Sequence, residues 1–223
     1  MNDVLQVKIE FGERFQQHLS ALNNAVAPAA VKALWLDIAT YYNEPQRAYH
    51  TLKHIQKLFG EFEQIKHNLH EPHIIALALY YHDVIYEPTR SDNELKSAEY
   101  AVATLRCYLS EAQCQHIYAL IMMTATHQLH KLVDEDNVSD AAYLLDMDLS
   151  ILGAPWAEYR QYTQAVRQEY VHVIKENYRV GRIAILEKLL THQTLYLTAY
   201  YRARLEEQAR DNIKYEISLL RAS

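Results

Sequence analysis

The stretch from Ile74 to Glu87, IIALALYYHDVIYE, decides the fold of this chain. Its first eight residues are apolar or tyrosine, so every face of the element they form must be buried. Glu71-Pro72 precedes the stretch, and a proline at this point predicts a short helix at the centre of the protein. The apolar run ends in His82 and Asp83, two ionisable side chains that need a partner when they are held in a core.

A divalent cation is a common partner for a histidine and an aspartate that point into one cavity. Imidazole nitrogen and carboxylate oxygen both bind such ions, which makes the dipeptide a candidate metal site. A polar end of a core helix, satisfied by hydrogen bonds alone, is the competing interpretation. The rest of the chain has to distinguish the two.

The composition favours long helices. Half of the 223 residues are hydrophobic and 22% are charged, which provides enough apolar surface for a core. Only four glycines and five prolines interrupt the chain, too few for a fold made of many turns. We therefore predict an all-α fold, with one helical domain over residues 1–223.

The charge distribution limits the partners. The net charge is -6 and basic residues form no block, which argues against a nucleic-acid partner. A small anionic substrate held by a metal remains compatible with this charge. The chain begins without a leader pattern and contains no stretch long enough to span a membrane, so we expect a cytoplasmic protein with no membrane partner. Cys107 and Cys114 are too few for a disulfide framework.

Apolar residues at helical spacing predict further helices on both sides of the central stretch. They cover residues 4–22, 30–42, 47–59, 91–108, 111–126, 156–174, 180–190 and 205–220. Ser91 and Glu94 are three residues apart and predict a capping box at the start of the fourth of these helices. Glu94 and Ser97 also share a face that can point into a site. Residues 128–138 are polar and acidic, and they are predicted to form a loop.

A pair of histidines lies in the helix predicted over residues 47–59. His50 and His54 are four positions apart, so both lie on one helix face beside the apolar stripe. Two imidazoles on one face form a metal-binding pattern, although twelve histidines in the chain make one such pair by chance unsurprising.

A second apolar segment, residues 141–152, is interrupted by Asp146 and Asp148. Two buried carboxylates need partners as much as Asp83 does. Residues two apart on a helix point in roughly opposite directions, so one ion can bind both only if the helix is broken there. We expect one of them to bind metal and the other to cap a neighbouring helix or hold a group behind the ligands.

In chain order, His54, His82-Asp83 and Asp148 form a pattern that resembles the HD superfamily of metal-dependent phosphohydrolases. The separation of 28 positions between His54 and His82 fits that family better than the 32 from His50. Asp148 fits the last ligand of the family better than Asp146. The segments YHTLKHI, HDVIYEP, DNELKSA and DMDLSILG together are similar to an uncharacterised bacterial branch of the superfamily.

The resemblance implies an HD-type helical bundle around one metal site. The metal-binding core would cover residues 47–153, with C-terminal helices 154–223 packed on it. The metal would be one divalent ion, and mixed nitrogen and oxygen ligands do not choose among Mn, Fe, Ni, Co, Mg and Zn. Many family members carry an acid three residues after the HD aspartate, where this chain has Tyr86. Glu87, Glu94 or Asp83 itself would then have to handle the attacking water.

Hydrolysis of a phosphate ester or anhydride, with a nucleotide as the first candidate, is the function that this resemblance implies. Asp83, Glu94 and His50 are the candidate catalytic residues. Donors near the phosphoryl group would stabilise its growing charge, and Lys96, His127 and Arg167 are candidates for contacting this small phosphorylated substrate.

Two other functions remain open. His127 and His130 leave room for a di-iron oxygenase, because some HD-fold proteins use extra histidines between the HD pair and the last aspartate. Tyr86, in place of the acid, leaves room for a nucleotide-sensing module without turnover. A homodimer is neither required nor excluded by the sequence.

Overall fold

The structure is a computed structural model that describes residues 2–129 and 135–222. Helices make up this part of the chain, which contains no strand, so the predicted all-α fold is confirmed. The α-helices are α1 (Asn2–Leu22), α2 (Pro28–Tyr41), α3 (Leu52–Ile65), α4 (Pro72–Tyr81), α5 (Asn93–Leu105), α6 (Glu111–Thr124), α7 (Glu135–Asp148), α8 (Trp156–Glu169), α9 (Lys175–Thr191) and α10 (Ala199–Ala222). Two short 3₁₀ helices cover Lys66–Asn68 and Leu149–Gly153.

The chain forms two units, Met1–Leu144 and Leu145–Ser223. The division falls inside α7, whose last turn belongs to the second unit. The single domain predicted over residues 1–223, with its core at 47–153, stays a prediction. No helix within the described residues combines the length and the apolar character needed to cross a membrane.

The first unit is organised around α4. Every residue from Ile74 to Tyr81 is buried, as the all-round apolar sequence requires. Helices α1, α3, α5 and α6 all contact α4. Tyr80 packs its ring against Phe15 and Phe59, and its hydroxyl donates to the carbonyl of Phe11 at 3.0 Å. The buried phenol therefore ties α1 to α4 with its polar group satisfied.

An aspartate on α7 stabilises the start of α4. The carboxylate of Asp140 is fully buried and accepts hydrogen bonds from the backbone amides of His70 and Glu71, at 3.0 and 2.8 Å. These amides precede the first turn of α4, where backbone donors lack partners within the helix. The contact fixes α7 against the segment that leads into the central helix.

Two helix starts differ from the sequence prediction. Helix α3 begins at Leu52, not near Arg47, because Thr51 takes an extended conformation and its hydroxyl accepts from the amide of Lys53. His50 therefore precedes the helix. Helix α5 begins at Asn93 with Asp92 at its N-cap and no side-chain cap, so the capping box predicted from Ser91 is wrong.

The loop predicted over residues 128–138 is wrong for its last four residues, because α7 already begins at Glu135. Residues 130–134 lie outside the described part of the chain. A capping box does occur one helix later than the one predicted at Ser91. At the start of α6, the side chains of Ser110 and Gln113 each accept a hydrogen bond from the other's backbone amide.

In the second unit, the 3₁₀ helix Leu149–Gly153 packs closely on α10. A Cβ atom placed on Gly153 would lie 2.5 Å from the Cβ of Leu205 and 2.9 Å from its carbonyl oxygen. Asn212 reinforces the contact by donating to the carbonyls of Leu152 and Ala154, each at 2.8 Å. Glycine is required here because the two backbones approach too closely for any side chain.

A buried ion pair joins α9 to α10 in the same unit. Arg182 contacts both carboxylate oxygens of Glu216, at 2.8 and 3.1 Å, and both residues are more than nine-tenths buried. The hydroxyl of Tyr159 on α8 also donates to Glu216. Such a pair is tolerated in a core because each charge has a partner in good geometry.

Candidate metal centre

The two histidines of the predicted site converge in the first unit. His54 lies in the first turn of α3 and His82 directly follows α4, and both side chains are buried. Their Nε2 atoms are 3.2 Å apart. The convergence follows from the packing of α3 on α4, which brings the start of one helix to the end of the other.

The position of the His82 proton is fixed by the backbone. Its Nδ1 lies 2.9 Å from the carbonyl oxygen of Leu79, an acceptor, so Nδ1 carries the proton and donates. In the neutral ring, Nε2 then presents a lone pair to His54 and to the space between the rings. A carbonyl behind a histidine is the usual arrangement that orients an imidazole for metal binding.

Asp83 adds a carboxylate oxygen to the two imidazoles. Its Oδ2 lies 3.0 Å from Nε2 of His82 and 3.7 Å from Nε2 of His54. A cation with bonds of about 2.1 Å separates adjacent ligand atoms by about 3.0 Å in an octahedron and about 3.4 Å in a tetrahedron. The three distances of the cluster are close to these values. The donor set therefore fits a divalent cation without rearrangement of the backbone.

Asp148, at the end of α7, offers a carboxylate as a further candidate ligand. One ligand atom from each of His54, His82 and Asp148 lies within 4.8 Å of the other two, and this group can hold a metal ion. Asp148 is the final residue of α7, the helix that Asp140 fixes to the start of α4. Asp148, not Asp146, is therefore the aspartate of this segment that belongs to the group.

Asp146 has a different partner. Its Oδ1 accepts from the amide of Leu197, and its Oδ2 accepts from the amide and the hydroxyl of Thr198, each at 2.7 Å. These groups lie just before α10, so Asp146 holds the segment that leads into that helix, while the Thr198 hydroxyl accepts from the first-turn amide of Tyr201. Burial raises the pKa of Asp146 to about 6, while the hydrogen bonds from Leu197 and Thr198 act in the opposite direction.

A buried arginine holds the backbone of the centre. Arg47 donates to the carbonyls of Asp83 at 2.7 Å, Val84 at 2.8 Å and His50 at 3.1 Å. Its Nε also bonds to the carboxylate of Glu44 at 3.1 Å. One guanidinium thus joins the segment before α3 to the turn after α4. No pattern in the sequence indicates this role for Arg47.

His50 lies at the edge of the cluster. Its Nε2 is 3.9 Å from Oδ2 of Asp83, so it shares the site without being as close as His54. The ring of Tyr86 stacks on His50 with a centroid separation of 4.0 Å, and the guanidinium carbon of Arg47 lies 5.5 Å from the centre of the Tyr86 ring. Tyr86 therefore fixes the orientation of the His50 imidazole. His50 and His54 do not share a helix face, because α3 begins after His50.

The turn after Asp83 is attached to α5. Asn93 bonds to both the amide and the carbonyl of Glu87, each at 3.0 Å, and the Ser97 hydroxyl bonds to the amide and carbonyl of Ile85 at 3.1 and 3.2 Å. Both side chains are buried. Ser97, which the sequence placed on a helix face that can point into a site, thus holds the backbone of the turn after Asp83.

The two candidate bases differ in their surroundings. The Glu87 carboxylate accepts from the amide and hydroxyl of Thr89, at 3.4 and 3.2 Å, and so stabilises its own loop. Glu94 is half-buried at the second position of α5, and its side chain makes no hydrogen bond or ion pair with any described residue.

Each of the candidate substrate-binding residues has its own surroundings. Lys96 is half-exposed and pairs with Glu99 at 2.8 Å. His127 is half-buried in the turn after α6, with a positive φ of 51°. Arg167, in the second unit, donates to the backbone carbonyls of Tyr170 and Val173. His130 lies outside the described residues.

Comparisons of this chain with protein-family models, with curated proteins and with solved structures gave no match in any of the three. The resemblance to the HD superfamily therefore stays a prediction that rests on the four sequence segments. The candidate metal centre rests on the distances among its own residues.

Proposed function

We propose that this protein is a cytoplasmic metal-dependent phosphohydrolase of the HD type, acting on a phosphate ester or anhydride, with a nucleotide as the first candidate substrate. The observation that supports it most is the triangle of His54 Nε2, His82 Nε2 and Asp83 Oδ2, with sides of 3.2, 3.0 and 3.7 Å. Two buried imidazoles and a partly buried carboxylate lie at the spacing of metal ligands, and their order along the chain is the order found in the HD family.

The ligands proposed for the cation are His54, His82, Asp83 and Asp148. Two neutral imidazoles and two carboxylates suit Mn, Fe, Ni, Co, Mg or Zn and leave positions for substrate and water. A divalent cation held by these residues would polarise a phosphoryl oxygen and acidify a water molecule. Every other contribution has to come from the residues around it.

Asp83 and His50 are the residues proposed to move protons. Asp83 can bind the cation with one carboxylate oxygen and orient the attacking water with the other. His50 is the proposed proton donor to the leaving group, a role supported by its distance of 3.9 Å from Asp83 and by the Tyr86 ring that stacks on it. Glu94 remains a candidate base because no described residue binds its carboxylate.

A nucleotide-sensing module is the second candidate. The observation that favours it is Tyr86, which occupies the place of the usual acid with a buried ring stacked on His50. The nearest acid, Glu87, is engaged with Thr89. A site with a cation but no free base would bind a phosphorylated ligand and release it unchanged.

The test combines metal analysis with a phosphate-release screen. The purified protein is stripped with chelator, reloaded with each candidate ion, analysed for metal content and assayed against a panel of nucleotides. His54→Gln removes one ligand, and His67→Gln, an exposed histidine in the same region, is its control. We expect one metal per chain and phosphate release in the parent and in His67→Gln, with both lost in His54→Gln.

Each alternative has its own result. Two irons per chain without phosphate release would indicate the di-iron oxygenase. One metal with nucleotide binding but no release would indicate the sensing module. Phosphate release that survives in His54→Gln would contradict the proposed centre.

A further inference from the structure

The second unit contains a cleft with an unusual concentration of positive charge. It has a volume of about 450 Å³, within the range of small-molecule sites. Helices α8, α9 and α10 line it, and the lining includes four cationic residues, Arg160, Arg167, Lys175 and Arg179. None of the proposed metal ligands is part of this lining. The whole chain carries a net charge of -6, so the positive charge of this cleft is opposite in sign to that of the protein as a whole.

The one acidic residue in the lining does not neutralise these cations. Glu216 is buried, and Arg182 contacts both of its carboxylate oxygens from behind the cleft. Its negative charge is therefore already balanced. Arg179 is paired with Glu176, whereas Arg160, Arg167 and Lys175 form no ion pair within the described residues. These three cations around one cleft repel one another, and an anion in the cleft would reduce that repulsion.

Two of the four cations have structural partners. Arg167 donates to the carbonyls of Tyr170 and Val173, and its guanidinium lies 4.6 Å from the centre of the Tyr178 ring. Arg179 pairs with Glu176 and donates to the carbonyl of Leu220 at 3.3 Å. These two arginines hold the walls of the cleft in place.

The other two cations are available. Arg160 on α8 and Lys175 at the start of α9 are exposed, and their side chains make no hydrogen bond or ion pair within the described residues. Lys175 also marks the N-terminus of α9, where Ile174 supplies no side-chain cap. The first-turn amides and the helix dipole therefore add positive potential beside Lys175.

The cleft also has an apolar side. Trp156 and Leu219 line it, and its exposed surface is more apolar than polar. Trp156 is half-buried against Tyr215, with ring centroids 4.5 Å apart, so its indole faces the cleft from a fixed position. An aromatic wall beside cations suits a ligand that has both a ring and an anionic group.

We propose that this cleft is a binding site for a small oligophosphate ligand, bound by Arg160, Lys175 and the N-terminus of α9, with Trp156 contacting the apolar part of the ligand. The site is additional to the metal centre. Arg167, which the sequence analysis assigned to the substrate of that centre, acts here by fixing the loop before α9.

Trp156 provides a direct test. The chain has two tryptophans, and Trp35→Phe leaves Trp156 as the only tryptophan, whose emission can be excited selectively over that of the tyrosines. We expect inorganic tripolyphosphate to change its emission saturably and ATP to bind more tightly because of its ring. Lys175→Glu should weaken both by at least about tenfold, since a charge-assisted contact is replaced by repulsion. Lys188→Glu, on the same helix outside the cleft, should change the affinity by less than about twofold.

Three results would overturn the proposal. The first is no saturable response to either ligand up to about 10 mM, a concentration that only very weak sites require. The second is an equal loss of affinity in Lys175→Glu and Lys188→Glu, which would indicate a general charge effect. The third is loss of the Trp156 response in His54→Gln, which would place the ligand at the metal centre. A preserved response in His54→Gln, with phosphate release abolished, separates this site from the proposed function.

Discussion

Replacing Arg47 with lysine tests whether one guanidinium holds the metal centre together. The arginine donates to three backbone carbonyls, those of His50, Asp83 and Val84, and its side chain is fully buried. A lysine ammonium retains the charge, but a single point donor cannot reach all three carbonyls. One or two of these carbonyls would therefore be left buried without a hydrogen bond.

The cost follows from these contacts. Each buried carbonyl left without a hydrogen bond costs about 1–3 kcal/mol. We therefore expect Arg47→Lys to lower the free energy of unfolding of the first unit by about 2–4 kcal/mol. Because Asp83 loses its backbone support, metal affinity should fall by about 10–100-fold, as for other residues behind metal ligands.

The assay is urea unfolding followed by the fluorescence of Trp35, which is buried in the first unit, in a Trp156→Phe background. Arg90→Lys is the matched control, because Arg90 forms a surface ion pair with Asp92 and should change stability by less than about 0.5 kcal/mol. Equal unfolding midpoints and equal metal affinities in the two variants would refute the role of Arg47.

The remaining predictions concern both units. Asp148→Asn should lose bound metal with little loss of melting temperature, whereas Asp146→Asn should keep the metal and lose about 1–3 kcal/mol, because an amide cannot accept all three hydrogen bonds. Metal content and melting curves with and without chelator check this, and the reverse pattern would make Asp146 the ligand. Gly153→Ala should cost about 1–3 kcal/mol because its Cβ meets the α10 backbone, while Gly181→Ala, in open space on a helix, should gain about 0.5–1 kcal/mol. Urea unfolding followed by the fluorescence of Trp156 measures both. An unchanged free energy of unfolding in Gly153→Ala would mean that α10 moves away to make room for the added methyl group. Burial, together with the neighbouring histidine on α4, lowers the pKa of His18 to about 4 from 6.5. Between pH 6.5 and 4 the unfolded state therefore binds a proton that the folded state does not. The free energy of unfolding is unaffected by His18 above pH 6.5, and it falls by about 1–2 kcal/mol as the pH drops toward 4, after allowance for partial exposure. His18→Gln should flatten the stability of the first unit across this range, and an unchanged slope would contradict the assignment.

The centre of the fold was predictable because its physical requirement is local. A run of eight residues without a polar face can only be buried, and α4 follows from that alone. His82 and Asp83 were then identifiable as polar groups at the end of a buried element. His54 was identifiable as a candidate from its predicted resemblance to a metal-binding pattern, and its Nε2 lies 3.2 Å from that of His82.

The missed features depend on side chains that bond to distant backbone. Arg47 contacts carbonyls 36 and 37 positions further along the chain, and Asn93 bonds to the loop before its own helix. No periodicity encodes such contacts. The capping box expected at Ser91 failed for a related reason, because Asn93 is held by Glu87 and the helix therefore starts two residues later.

The buried tyrosines of this protein also determine how it responds to alkali. Six of the largest fully buried side chains are tyrosines, distributed over both units: Tyr42, Tyr80, Tyr81, Tyr159, Tyr196 and Tyr201. Burial raises the pKa of Tyr80, Tyr81 and Tyr159 far above the ordinary range of a phenol, because a phenolate in an apolar core has no solvation. These hydroxyls can ionise only after their unit has opened. In strong base the phenolate absorbance should therefore rise first gradually, from exposed rings, and then in a steep cooperative step that marks the unfolding of the core.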